Sequence, residues 1–256
     1  MEDLYPEEAD LSPPDLMATF DRYIEEAHRL KQLYADQITL LIGLETDYIT
    51  TNDLSQLEAL LERHGEKIEY VVGSVHHCNG IPIDFDRSTF EKAVASFADS
   101  QDIQIAELSP SQVQVVFLNE YLDAQFQLME RIHPEVIGHF DLCKLYTPHL
   151  SLGPVWDRVE RNVRYAVAYG AAFELNTAAF RKGWDCAYPS REIVQLIMSL
   201  NGVFVLSDDS HGPAVVGLNY DKLDAYINEM GITGVAQLEK GESPNCAGRF
   251  LRPVLE

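Results

Sequence analysis

The sequence has few of the features that mark secreted, membrane-spanning or disulfide-stabilised proteins. Its 256 residues include only four cysteines, which lie far apart and form no Cys-x-x-Cys pair, so neither a disulfide scaffold nor a zinc ribbon is indicated. No run of roughly 18 apolar residues is present to span a bilayer. The acidic start, MEDLYPEEADLSPPD, lacks the basic and apolar regions of a secretory signal, which favours a cytoplasmic protein.

Basic residues are also scarce. There are 19 Lys and Arg against 41 Asp and Glu, for a net charge of -22, which repels nucleic acid and anionic membranes, so neither is expected as a partner. An anionic small-molecule substrate would need a local cation or a bound metal. The sequence contains no GxSxG elbow, no GxxxxGK[ST] loop and no GxGxxG after a strand, which leaves serine-hydrolase, NTPase and dinucleotide functions without support.

Hydrophobic residues, at 46%, suffice for a sizeable core, and short apolar runs alternate with helical patterns. Strands are predicted in ITLLI, EYVVGSV, VIGHFD, AAFELN, VFVLSDDSH and ITGVAQLEKG. This order predicts one α/β domain over residues 1–256 with a mainly parallel sheet, either a barrel or a doubly wound sheet. Closing a barrel would need one or two further strands, and the shortfall falls at the N-terminal end.

Metal-binding side chains follow five consecutive predicted strands. In chain order these are Glu45; His76 and His77; His139 and Asp141; Glu174 and Asn176; and Asp208, Asp209 and His211. In a parallel barrel these strand ends open onto one face, where barrel enzymes place their active sites. Carboxylates and imidazoles without thiolates suit zinc, manganese or iron, and a carboxylate can bridge two ions, so a site with more than one metal ion is predicted.

The individual signals differ in strength. A single histidine at a strand end is more often a hydrogen-bonded structural residue than a ligand. His76 and His77 would point in opposite directions within a strand, so at most one should bind metal, while Asp209 and His211 would share a face. The neighbouring Asp208 would point the other way and contact the ligands rather than the metal.

The segments GLETD, VVGSVHH, IGHFD, ELNTAAFRKG and LSDDSHGP resemble, in this order, motifs of the polymerase and histidinol-phosphatase (PHP) superfamily. The resemblance is closest to its histidinol-phosphatase branch, and ELNTAAFRKGWDCAYPS is similar to the fungal members. It implies a distorted seven-stranded TIM-like (β/α) barrel with a trinuclear metal site. It also implies hydrolysis of L-histidinol phosphate to L-histidinol and phosphate in histidine biosynthesis. The alternatives are a PHP-type phosphoesterase for another small phosphate ester and a non-catalytic relative.

The resemblance also implies residue roles. Glu45, His76, His139, Asp209 and His211 match the family's catalytic metal ligands, with Glu45 bridging two ions. The family's opening His-x-His motif and its Glu-His pair have no match here. We therefore expect the chain to be a truncated form that lacks roughly 40 to 45 residues with the first strand or strands; the alternative is a product that has lost the complete site.

Substrate contacts are predicted beside the metal ligands. Arg181 and Lys182 follow the fourth strand and are candidates for holding phosphate, because a guanidinium binds phosphate oxygens through two parallel hydrogen bonds. Arg249 is a second candidate for the same role. His77, Glu174 and Asn176 are candidates for the amine and imidazole of the substrate.

Overall fold

The computed structural model describes residues 12–98 and 108–255. The strands within these ranges are β1 (Gly43–Glu45), β2 (Tyr70–Gly73), β3 (His77–Cys78), β4 (Ile81–Pro82), β5 (Val136–Ile137), β6 (Ala172–Asn176), β7 (Val203–Ser207), β8 (Ala236–Lys240) and β9 (Leu251–Leu255). Five of them form a parallel sheet in the order β1-β2-β5-β6-β7, while β3-β4 and β8-β9 are antiparallel pairs. The prediction of an α/β fold with a mainly parallel sheet is confirmed.

Helices connect the parallel strands. They are α1 (Pro13–Leu33), α2 (Thr51–His64), α3 (Arg87–Ala95), α4 (Pro110–Ile132), α5 (Trp156–Tyr169), α6 (Ala178–Arg181), α7 (Arg191–Ser199) and α8 (Tyr220–Met230). Local sequence sets several of their starts. Capping boxes at Ser12, Thr50 and Ser109 satisfy backbone N–H groups that a helix leaves unpaired in its first turn.

The core lies between the sheet and the helices packed on it. All five residues of β6 are buried, as expected for a central parallel strand covered on both faces. The helices α4, α5 and α7 bury apolar side chains that include Phe117, Val163 and Ile197 in the same cluster. Most of the buried hydrophobic side chains of the described residues therefore form one continuous core.

Two predicted strands differ from the structure. The first strand begins at Gly43 rather than within Ile38–Ile42, because the Ile42 backbone N–H donates to the Glu69 carboxylate instead of to a neighbouring strand. The last predicted strand, β8, pairs with β9 rather than joining the parallel sheet. The parallel sheet therefore has five described strands, not six.

The two ends of the sheet carry different kinds of residues. At the carboxyl ends lie the predicted metal ligands, while Glu135, immediately before β5, marks the opposite end. There its carboxylate accepts hydrogen bonds from the guanidinium of Arg249, at 2.7 and 2.9 Å, and from the backbone N–H of Val71. The predicted metal ligands and the ion pair between Glu135 and Arg249 therefore lie at opposite ends of the sheet.

No helix in the described part of the chain is both long enough and apolar enough to cross a membrane.

Candidate metal centre and its cleft

Three predicted metal ligands converge at the carboxyl end of the sheet. Glu45 is the last residue of β1, and His76 and His139 follow β2 and β5 closely. These strands are neighbours and parallel, so their ends lie side by side. Nε2 of His139 lies 3.1 Å from Oε1 of Glu45 and 3.2 Å from Nε2 of His76, and Nε2 of His76 lies 3.4 Å from the same Glu45 oxygen.

This arrangement fits a divalent metal ion. Two imidazole nitrogens and a carboxylate oxygen are the ligand types that zinc takes in catalytic sites. Ligand atoms about 2.0–2.1 Å from one tetrahedral ion are about 3.3–3.4 Å from one another, close to the separations seen among Glu45, His76 and His139. Within the described residues, Glu45, His76 and His139 form a group of side chains whose ligand atoms lie close enough together to bind one ion.

The electrostatics of the group also favour a cation. Burial raises the pKa of the Glu45 carboxyl, but hydrogen bonds with His139 and His76 outweigh burial and hold it well below its ordinary value. Burial lowers the pKa of His76, while Asp47 and Glu45 more than compensate and raise it to about 10. The two carboxylates therefore create a negative potential at the ring nitrogens, which stabilises positive charge there.

Asp47 supports the centre from one side. Its Oδ1 accepts a hydrogen bond from Nδ1 of His77 at 2.9 Å and lies 3.6 Å from Nδ1 of His76. A carboxylate behind a metal-binding imidazole fixes the ring's orientation and tautomer. Of the two consecutive histidines, only His76 joins the ligand group, whereas His77 is buried in β3.

Glu174 supports the centre from the other side. It is buried in β6, and its Oε2 accepts hydrogen bonds from the backbone N–H of His139 and from Nδ2 of Asn176, both at 3.0 Å. Burial raises the pKa of this carboxyl above its ordinary value. Glu174 thus fixes the backbone at His139 rather than facing the site directly.

The ligand group lies in a cleft of about 550 Å³. This volume is within the range of small-molecule sites. The cleft is lined by Glu45, Thr46, Asp47, His76, Asp84, His139, Leu142, Leu145, Ala178, Arg181, Lys182, Tyr188, Asp209, His211 and Val215. All five predicted metal ligands and both predicted phosphate contacts are therefore on one surface.

Asp209 and His211 reach this cleft on a loop and not on an extended strand. β7 ends at Ser207, and Asp209 has a positive φ of 51°, so the shared strand face predicted for the pair does not form. The two are nevertheless close, with Nδ1 of His211 3.0 Å from the backbone oxygen of Asp209. They stand outside the group formed by Glu45, His76 and His139.

Arg181 anchors that loop. Its guanidinium donates hydrogen bonds to the backbone oxygens of Asp208, at 2.5 Å, and Asp209, at 3.0 Å. The Asp208 carboxylate accepts from Ser210 Oγ and from the backbone N–H of Gly217, so it braces the loop internally. Arg181 therefore links α6 to the segment that carries Asp209.

Several predicted contacts lie elsewhere. His77, Glu174 and Asn176, predicted to contact the substrate, are buried and are not among the residues that line the cleft. Arg249, the second candidate for phosphate, is at the opposite end of the sheet, because its guanidinium pairs with Glu135 and also donates to the backbone oxygens of Ile132 and His133.

Sequence reasoning missed two carboxylates of the cleft. Asp47 carried a usable signal, because it follows Glu45 by two residues in GLETD, the same spacing as that between Asp209 and His211. Asp84 carried none, since it follows the β3-β4 hairpin rather than a strand of the parallel sheet.

Comparison with known proteins places these motifs in a family. The profile of the PHP domain matches residues 11–178. A probable histidinol-phosphatase from Schizosaccharomyces pombe is 44% identical over 251 residues, which are 96% of this chain and 77% of that protein. A histidinol-phosphatase from Saccharomyces cerevisiae is 32% identical, with 94% of this chain and 79% of that protein covered.

A solved structure shares the fold. It is the histidinol phosphate phosphatase of Lactococcus lactis subsp. lactis, crystallised with zinc, L-histidinol and phosphate. The TM-score is 0.60 at 20% sequence identity, and the match covers 85% of this chain and 76% of that one. The five-stranded parallel sheet and its helices are therefore those of a TIM-like barrel.

Proposed function

The chain belongs to the PHP domain family, in its histidinol-phosphatase branch, and we propose that it is a metal-dependent phosphatase that converts L-histidinol phosphate to L-histidinol and phosphate. The observation that carries this proposal is the convergence of Glu45, His76 and His139 on one point of the cleft. Phosphate monoester hydrolysis requires an activated water and neutralisation of charge on the phosphoryl oxygens. Divalent metal ions, when bound, supply both. Zinc, manganese and iron suit these ligands, and we propose a di- or trinuclear site.

The chain's own residues hold and orient this chemistry. Glu45, His76 and His139 provide the converging ligands, and Asp209 and His211 are proposed to complete the set from the loop after β7. The carboxylates of Asp47 and Glu174 behind the ligands keep the ligand geometry fixed, which reduces reorganisation during the reaction. Asp47 contacts the histidines after β2, and Glu174 holds the backbone of His139.

Arg181 and Lys182 are proposed to bind the phosphate. Both line the cleft, and they are the Lys and Arg side chains among its lining residues. Arg181 already donates to the loop of Asp208 and Asp209, so its position is fixed before substrate arrives. Lys182 has no hydrogen bond or ion pair from its side chain within the described ranges, which leaves its ammonium available to an anion.

Organisation and location follow from other features. Because most of the buried hydrophobic side chains of the described residues form a single cluster, we propose that residues 1–256 make one phosphatase domain. Cys78, Cys143, Cys186 and Cys246 are all free thiols, which is typical of proteins from reducing compartments. The proposed location is accordingly the cytoplasm. The proposed substrate is a small phosphate ester rather than nucleic acid or a membrane lipid.

The test is phosphate release from L-histidinol phosphate by the purified chain supplied with manganese or zinc. A panel of other phosphomonoesters, including a sugar phosphate and a nucleoside monophosphate, is assayed in parallel. We expect selective release that a chelator abolishes and added metal restores. Equal release from all esters would instead indicate a phosphoesterase for another small phosphate. No release from folded, metal-loaded protein would contradict the proposal and favour a non-catalytic relative.

A further inference from the structure

The cleft has one carboxylate that the metal centre does not use. Of its four acidic side chains, Glu45 contacts His76 and His139, Asp47 contacts His77, and Asp209 lies 3.5 Å from His211. Asp84 is partly buried at the cleft wall, yet it has neither a hydrogen bond nor an ion pair within the described residues. Its charge is therefore available to a ligand.

The backbone around Asp84 is held in place. The β3-β4 hairpin turns at Asn79 and Gly80, both with positive φ, and brings the chain back alongside the metal ligands. The next residue after this hairpin, Ile83, is fully buried and donates a backbone hydrogen bond to the oxygen of His76 at 2.8 Å. Three residues after Ile83, Asp86 caps α3 by accepting from the backbone N–H of Thr89. Asp84 lies between these two anchors, so it is presented on a fixed segment next to His76.

Tyr188 provides a second, independent observation. It lines the same cleft, it is only 1% exposed, and its hydroxyl has no hydrogen-bond partner. Leaving a buried hydroxyl without a partner is costly, and a ligand that donates to it from the cleft would remove this cost. The ring itself is fixed by packing against Trp184 and against His139.

The cleft therefore has two differently charged walls. Arg181 and Lys182 stand on the α6 side, and Asp84 stands on the side of the β3-β4 hairpin. Both walls match a substrate that carries a phosphate on one carbon and a primary ammonium on the next. The imidazole of such a substrate is largely neutral near pH 7, so the ammonium is the group that calls for a carboxylate.

We propose that Asp84, together with the hydroxyl of Tyr188, binds the primary ammonium of the substrate and so selects amino-bearing phosphate esters. This inference rests on the proposed function, and it assigns Asp84 a role in specificity rather than in metal binding. The carboxylate accepts one ammonium hydrogen and the tyrosine oxygen accepts a second. Charge-assisted hydrogen bonds of this kind are about twice as strong as neutral ones.

The experiment compares two substrates on wild type and three variants. Wild type and Asp84→Asn are assayed with L-histidinol phosphate and with its deamino analogue, 3-(imidazol-4-yl)propyl phosphate. We expect Asp84→Asn to raise KM for L-histidinol phosphate about 10-fold or more, with kcat within about 2-fold, and to leave the deamino ester unaffected. Tyr188→Phe, which keeps the ring, should show a smaller effect in the same direction. The matched control is Glu91→Gln, which removes one negative charge, as Asp84→Asn does, but from an exposed position on α3.

The outcomes separate this inference from the proposed function. An equal loss of activity on both substrates, or a lower metal content in Asp84→Asn, would show that Asp84 serves the metal centre and would overturn the inference. If wild type hydrolyses neither ester, the proposed function fails. Calorimetric titration of wild type and Asp84→Asn with L-histidinol then tests the ammonium site by itself. Tighter binding to wild type than to Asp84→Asn would support the ammonium site, and equal affinities would refute it.

Discussion

The Nε2 atoms of His76 and His139 lie 3.2 Å apart, although 63 residues separate the two side chains in the sequence. They approach because β2 and β5 are adjacent parallel strands and each histidine follows the carboxyl end of its strand. Glu45 Oε1 is within 3.4 Å of both nitrogens. Three polar atoms at such short mutual distances are stabilised when they share a cation. Metal content and metal affinity of variants therefore test this centre directly.

Replacing His139 by Ala should remove one of the converging ligands. We expect the bound metal to fall and turnover on L-histidinol phosphate to drop by about 100-fold or more, because a nucleophilic water and charge neutralisation both depend on the ions. Elemental analysis of the purified variant and phosphate-release assays measure the two effects. Circular dichroism should show a largely preserved fold, and His139→Asn, which is closer in polarity, guards against a packing defect. Unchanged activity and metal content would remove His139 from the ligand set.

Asp47→Asn tests the support behind the ligands. The change keeps the size of the side chain but weakens its hydrogen bond with His77 and its attraction to His76. Loss of such a supporting carboxylate typically lowers metal affinity by about 10- to 100-fold. Metal titration should show this loss, and a high manganese concentration should restore most of the activity. Asp36→Asn, on an exposed turn after α1, is the control. Wild-type affinity in Asp47→Asn would mean that Asp47 only packs beside the histidines.

The sequence predicted the parts of this site that follow from strand topology. Glu45, His76 and His139 come together because parallel neighbours end on one face, and that rule needs only the order of strands and helices. Where the local backbone departs from a strand, the same reasoning loses accuracy. Asp209 lies in a left-handed conformation after β7, so spacing by two residues no longer determines where His211 points.

Other features depend on contacts between distant parts of the chain. Arg249 and Glu135 are 114 residues apart, and nothing in the local pattern of either segment indicates that they pair. Asp84 is likewise placed by a two-stranded hairpin whose strands are only two residues each, too short to give a periodic signal. Hydrophobic periodicity reports burial and element type but does not report which polar groups become partners.

Arg181→Ala should weaken substrate binding through two effects. It removes a cation from the cleft and it releases the loop oxygens of Asp208 and Asp209. We expect KM to rise by about 10-fold for L-histidinol phosphate and for its deamino analogue alike, because the phosphate is common to both. Steady-state kinetics, together with inhibition by inorganic phosphate, measure the change. Arg181→Lys should recover only part of the affinity, since an ammonium cannot form the paired hydrogen bonds of a guanidinium. An unaltered KM would limit Arg181 to a structural role in the loop.

Arg249→Ala should destabilise the fold without altering the chemistry of the cleft. Arg249 and Glu135 form a nearly buried ion pair, with side-chain exposures of 11% and 1%. Removing one partner leaves an uncompensated buried charge, which costs about 3–5 kcal/mol of unfolding free energy. Urea denaturation followed by circular dichroism measures the loss. Arg29→Ala, which breaks the exposed pair with Glu26, should leave the midpoint unchanged.

The remaining contacts of Glu135 sharpen this last test. Val71 N–H and Asn245 Nδ2 still donate to its carboxylate in Arg249→Ala, so the penalty comes from unpaired charge and not from a loss of all hydrogen bonds. Adding Glu135→Gln to Arg249→Ala should therefore recover part of the lost stability, because the amide removes the charge. Metal content of the folded protein should match wild type in both variants, since the pair lies at the end of the sheet opposite Glu45. A denaturation midpoint equal to wild type in Arg249→Ala would show that the pair contributes no net stability.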